Sequence, residues 1–189
     1  KEVTRVTPEE VVVTATAEPE SEKGGDLVIG IVGTHEPGTL DCHLAPMDVS
    51  FITGVLVSDQ LVIMTPDGEY KPSLATSVDL SPDGTRWTFE LREDVTFHDG
   101  TPFNAEAVKA NVDRVMDPEF GALQISGYLC DRSFVAANVL DEFTVELVYD
   151  GPCQSMWAAL AQFPMWSPTA LEEYGSEFDE HLVGCGPFK

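Results

Sequence analysis

The chain has 189 residues, 43% of them hydrophobic and 9% aromatic, which is the composition of a folded protein with room for one real core. Ten Lys and Arg stand against 33 Asp and Glu, a net charge of −23. That excess repels nucleic-acid phosphates and anionic lipid surfaces and suits an extracellular or salt-exposed protein that must stay soluble. No apolar run approaches the roughly eighteen residues of a membrane helix. A start at Lys1 with no signal peptide is expected of a processed or trimmed product.

Residues 1–25, KEVTRVTPEEVVVTATAEPESEKGG, lack aromatic residues and are rich in Glu, Thr, Val and Pro, so they are expected to form an extended, disordered spacer. Val11–Val13 has the composition of an edge strand, but nothing beside it would bury that strand. Order is expected from Leu27, where LVIGIVG reads as a strand covered on both faces. FITGVLVSDQLVIM (51–64) reads as a buried helix running into a strand. Turns follow at Thr65-Pro66-Asp67-Gly68 and Ser81-Pro82-Asp83-Gly84. Between the second turn and Arg92, Trp87, Phe89 and Leu91 alternate with polar residues, the pattern of a strand with one buried face.

FHDGTPFNAEAVKANVDRVMDP (97–118) reads as a strand end, a turn and a helix. Asp99-Gly100 is a turn dipeptide, Asn104 an N-cap, and Phe103 with Val108 a hydrophobic staple. Val108, Val112, Val115 and Met116 form one apolar face, and Asp117-Pro118 ends the helix. His98 beside Asp99 raises a catalytic reading, but no serine, cysteine or second carboxylate nearby completes a set. FVAANV and TVELVY flank Leu140–Phe143 as a hairpin. SMWAALAQF reads as a helix with Met156, Ala159, Leu160 and Phe163 inward; Ser167-Pro168 opens another that Gly175 closes. The tail GCGPFK reads as a glycine-lined turn into one more strand. Strands and helices in this order, with no internal repeat, mean α/β or mixed α+β.

Taken together, GDLVIGIVG, LDCHLAP, LATSVDLSPDGTRWTFELREDVTFHDGTPFNAEAVKANVDRV and VGCGPFK resemble the extracytoplasmic solute-binding proteins of ABC importers. The resemblance is to the large subset that binds peptides, nickel chelates and some sugars. It covers residues 26–189 and is most specific over 74–115. It implies the first lobe of a two-lobed, periplasmic-binding-protein-like fold, with the second lobe absent from this chain. Residues 1–25 are similar to the spacer that follows a lipidated cysteine, so membrane attachment would run only through an anchor absent here.

The function implied is a non-enzymatic receptor that closes on an oligopeptide or similar small solute and hands it to an ABC permease. Alternatives are a structural or adhesive surface domain and, further off, a hydrolase using His98 and Asp99; neither G-x-S-x-G nor H-E-x-x-H occurs. By position, the resemblance assigns ligand contacts to His43, Ala45, Ser50 and Phe51 after the first strand. It adds Gln124 and Tyr128 after the staple helix, and Trp166 further on. Core packing is the equal alternative for Phe51 and Trp166. Asp41-Cys42-His43 has adjacent side chains rather than spaced ligands, so no metal is expected, nor any cofactor. With half a cleft, the chain alone is expected to bind peptides weakly or not at all.

Four cysteines allow three pairings, and an exported protein sits where disulfides persist. A hairpin turn centred between Asp141 and Glu142 would, in regular register, bring Cys130 opposite Cys153. The remaining pair, Cys42 with Cys185, falls in two segments that border the cleft in the family, where a bridge would pin the loop carrying His43. Four free thiols in a reducing compartment remain the alternative. In family sequences proline and a small residue usually stand where Cys42 and Cys185 do.

Overall fold

A computed structural model describes residues 39–44 and 49–189. The expected spacer, the LVIGIVG strand and Ala45 lie outside the described residues. Helix α1 (Val49–Val57) comes first. A short antiparallel hairpin of β1 (Val62–Met64) and β2 (Tyr70–Pro72) follows, closed by the Thr65–Gly68 turn. Gly68 adopts φ +82°, a left-handed conformation that costs glycine little, and its N–H donates to Thr65 O at 2.9 Å.

The main sheet has four strands in the order β3-β4-β6-β5, every neighbouring pair antiparallel. They are β3 (Ala75–Leu80), β4 (Arg86–Leu91), β5 (Phe134–Asp141) and β6 (Thr144–Tyr149). In the β3–β4 turn, Asp83 Oδ1 accepts from the hydroxyls of Ser81 and Thr85 and from Thr85 N–H. Trp87, Phe89 and Leu91 are buried as their alternation requires.

The face they present is covered by α2 (Ala105–Met116), whose Val108, Val112 and Val115 join the same core. Asn104 caps α2 by accepting from Ala107 N–H at 3.0 Å, and Phe103 and Val108 are both fully buried. Asp117, extended at ψ 116° before Pro118, ends the helix. Helices α3 (Leu123–Tyr128), α4 (Met156–Leu160) and α5 (Pro168–Tyr174) complete a mixed α+β arrangement. Ser167 caps α5 and Gly175, at φ +52°, ends it.

Two expectations need correction. The tail after Val183 is not a strand; it bends along the last turn of α1. Gly186 N–H donates to Val57 O at 2.8 Å and Phe188 N–H to Leu56 O at 3.2 Å, so it satisfies helix-end carbonyls instead of extending a sheet. Glycine is needed there because a Cβ at Gly186 would come within 2.7–2.9 Å of the Val57–Ser58 backbone.

The second correction concerns the cysteines. Cys42 and Cys185 are free thiols. Cys42 packs on Gly54 and in a cluster with Trp166, Ala170 and Phe178, whereas Cys185 sits one helical turn away with Sγ 3.7 Å from Ser58 Oγ. A disulfide joins Cys130 to Cys153, Cα atoms 5.9 Å apart. The hairpin reaches this geometry irregularly: Asp141 pairs with Thr144 across a two-residue turn of Glu142 and Phe143. Two register shifts then bring Phe134 opposite Tyr149. Beyond that pair the ladder gives way to a 3-10 turn at Asp131–Ser133, and Cys130 itself adopts the left-handed conformation (φ 59°).

Candidate functional site

The segment 39–44 is held by a buried polar cluster. Arg114, in the last turn of α2, donates from Nη2 to Asp41 Oδ2 at 2.6 Å and from Nη1 to His43 Nδ1 at 3.1 Å. A guanidinium only donates, so His43 Nδ1 is the acceptor and Nε2 carries the proton that goes to Pro164 O at 2.8 Å. His43 N–H also donates to Asp41 Oδ1 at 3.0 Å. Burial pushes the His43 pKa down to about 4; the Asp41 charge opposes this and Arg114 reinforces it, so the ring is neutral at pH 7. Burial works to raise the Asp41 carboxyl, but His43 and the hydrogen-bonded Arg114 outweigh it and hold it below the ordinary carboxylate range. The Arg114 guanidinium also lies 3.9 Å from the centre of the Phe120 ring.

These contacts correct the expected role of His43, which faces inward and is 1% exposed. Ser50 is likewise buried, its hydroxyl donating to Thr39 O at 2.5 Å. Trp166 is fully buried, edge-on to Phe178 at 5.5 Å, with its backbone N–H and C=O both bonded to the Asn111 amide. All three hold the frame instead of lining a surface: the His43 ring and the Ser50 hydroxyl are bonded to protein partners, and the Trp166 ring is sealed in the core with its Nε1 unpaired among the described residues. Gln124 and Tyr128 lie one turn apart on α3, with Gln124 Nε2 donating weakly to the Tyr128 hydroxyl oxygen at 3.4 Å, and Tyr128 is exposed. They are not brought together with Phe51.

Phe51 opens onto a hollow of about 420 Å³. Phe51 and Val55, four residues apart, present one face of α1. Opposite them stand Ala158, Ala161 and Gln162 from the face of α4 and its end. Ile63, Met64 and Tyr70 of the β1–β2 hairpin form the rim, and Gln60 stands at its root. Tyr70 stacks on Trp157, which meets Trp87 edge-on, so the rim is buttressed by the main core. Apart from Phe51, sequence reading missed these residues. The i, i+4 pair on α1 was the available signal, but the opposing wall depends on the Gln60–Pro164 bridge that draws α1 and α4 together.

A larger depression, about 770 Å³, lies at one end of the main sheet and is lined by Glu90, Arg92, Glu93, Asp94 and Asp141 among others. Arg92 is already paired with Asp94 at 2.9 Å, and such an open charged surface leaves a solute hydrated. The apolar hollow is therefore the stronger candidate.

His98 and Asp99 do not form a dyad. His98 Nε2 lies 2.8 Å from Gly186 O, while Asp99 accepts from Thr101 N–H at 2.9 Å, from the Thr101 hydroxyl and from the Ser167 hydroxyl. The corner thus fastens the tail and the start of α5. Among the described residues no group of three His, Cys, Asp or Glu has the placement to hold a metal ion.

The glutathione-binding protein GsiB of Shigella flexneri is 41% identical over 121 residues, 63% of this chain and 23% of GsiB. GsiB of Escherichia coli K12 is 40% identical over the same shares. The chain spans about a quarter of the length of these curated relatives. Among solved structures, AgaA of A. tumefaciens R10 in complex with agropinic acid matches 82% of this chain and 31% of its own, with TM-score 0.73 and 32% identity. DppA of Helicobacter pylori in complex with the peptide STSA matches 80% and 34%, with TM-score 0.68 and 28% identity. Residues 69–189, which carry the main sheet and α2–α5, match the bacterial extracellular solute-binding proteins, family 5 (Middle), and the chain belongs to that family.

Proposed function

We propose that the protein acts as an extracytoplasmic receptor that captures a peptide or similar small solute and delivers it to the permease of an ABC importer. The observation that carries this reading is the family match over residues 69–189. Two relatives are bound to or named for peptides, glutathione and STSA, and a third holds agropinic acid. The hollow beneath Phe51 supports the same reading, since apolar walls with a few amides suit a small organic solute. His98 and Asp99 are engaged with the tail and with Ser167, which favours a binding role over hydrolysis. Attachment to the outer face of the membrane would run through a lipid anchor upstream of residues 1–25; labelling cells with a tritiated fatty acid tests it. For the receptor role, the source cells are deleted for this gene and supplied with peptide mixtures as sole nitrogen source. The expected result is slowed depletion of a subset of peptides from the medium, restored by the gene. Depletion of peptides and other small solutes at the parental rate would overturn the proposal.

A further inference from the structure

The hollow under Phe51 carries more information than its size. Gln60 is 5% exposed, lines the hollow, and its side-chain amide makes no hydrogen bond to another of the described residues. The amide nitrogen and oxygen of Gln60 are not sealed from solvent, so a donor and an acceptor stand open to whatever enters the hollow. Gln162, on the facing wall, donates from Nε2 to its own helix at Ala158 O (3.2 Å), which leaves its carbonyl oxygen without a protein partner. The remaining described walls are aliphatic or aromatic, and among the described residues no Asp, Glu, Lys or Arg lines the hollow. In a chain of net charge −23, a concavity whose described lining carries no charge is a feature of this place and not of the surface as a whole.

We infer that this hollow is a binding subsite for one uncharged, bulky apolar amino-acid residue carried in a peptide. The apolar side chain would lie between Phe51, Val55 and Ala158. The peptide group attached to it would meet Gln60, because a backbone amide offers one donor and one acceptor, the complement of what the glutamine presents. A charged side chain is rejected, since no charged group among the described walls would compensate its lost hydration. The volume matches a single large residue with its flanking peptide groups. This inference rests on the receptor reading and gives that receptor a preference for neutral apolar residues at one position.

The test uses the full chain, isotope-labelled, titrated with three probes while the side-chain amide signals of Gln60 and Gln162 and the Trp157 fluorescence are followed. N-acetyl-leucinamide, with the side chain and the amides, is expected to shift both glutamine signals in a saturable manner. N-acetyl-aspartamide in its ionised form should not, and isopentanol, which has the side chain without amides, should bind more weakly. Gln60→Leu, which keeps the apolar volume and removes the amide, should weaken the leucinamide roughly five- to tenfold and leave isopentanol unchanged. Ala161→Trp, or Ala158→Leu if that variant does not fold, should abolish both. Shifts confined to other residues, equal binding of the aspartate probe, or indifference to Gln60→Leu would overturn the inference. Normal peptide uptake alongside a hollow that ignores all three probes would leave the receptor role standing and remove this subsite.

Discussion

Arg114 and Asp41, seventy-three positions apart in the chain, meet at 2.6 Å with the Asp41 side chain only 3% exposed. Removing one partner leaves the other buried and uncompensated, which typically costs about 3–5 kcal/mol. Arg114→Met and Asp41→Asn should each lower stability on that scale in urea denaturation. The double variant should recover part of the loss, because most of the single-variant effect is the stranded charge. Additive losses in the cycle would show that the two residues act independently.

The same cluster sets a pH response. His43 ionises at about 4 when folded and near 6.5 when unfolded, so below 6.5 the unfolded chain binds a proton that the folded chain refuses. Stability should therefore be flat above pH 7 and fall as pH drops from 6.5 to 4, by roughly 3 kcal/mol at full extent. His43→Gln keeps a donor and an acceptor but does not titrate, and it should flatten that slope. Asp41, held below its usual range, acts in the same direction at lower pH: its contribution is present above about 4 and fades as the carboxyl protonates. Denaturation midpoints between about pH 4 and 8 check the His43 effect, and extending them to about pH 2 checks Asp41.

Reduction of Cys130–Cys153 opens a loop with a sequence separation of 23 and should cost about 3 kcal/mol by chain entropy. The bridge also helps hold Cys130 in a left-handed conformation that non-glycine residues avoid. Cys130→Ser with Cys153→Ser should reproduce the loss seen with reductant. In the native oxidised protein Cys185 should react with a thiol reagent well before Cys42. The Cys42 thiol is fully buried, and burial with the neighbouring Asp41 charge pushes its pKa well up. Equal labelling rates would contradict the placement of Cys42 against Gly54.

Asn111 is a buried polar residue inside α2 whose amide donates to Ala107 O and Trp166 O and accepts from Trp166 N–H. Asn111→Leu should cost about 3 kcal/mol, since both backbone groups of Trp166 would lose their partner inside the core. Hydrogen exchange at the Trp166 amide should rise with it. An unchanged exchange rate would mean that water or another residue takes over.

Local periodicity made much of the frame readable. The Asn104 cap, the Phe103–Val108 staple and the Trp87-Phe89-Leu91 alternation are decided within a few residues of themselves, so pattern and propensity suffice. What escaped is decided at a distance. His43 faces inward because Arg114 and Pro164 receive it, and nothing in LDCHLAP signals either. The tail reads as a turn into one more strand, yet its N–H groups find the open carbonyls of α1. The hairpin's two register shifts leave no mark in the hydrophobic pattern, and Gln60 in VSDQLV has no sign that its amide will go unused.

The fastening of the tail to α1 implies an order of events during folding. The β3–β4 and β5–β6 hairpins close over short stretches, but Gly186 and Val57 must find each other across most of the described chain. Contacts of such long sequence separation are expected to form after the barrier is crossed. A Cβ at Gly184 would collide with Val57 O and Ser58, so Gly184→Ala weakens this junction without touching the sheet. In stopped-flow measurements it should leave the refolding rate nearly unchanged and accelerate unfolding. The stretch behaves as a latch that closes last and opens first.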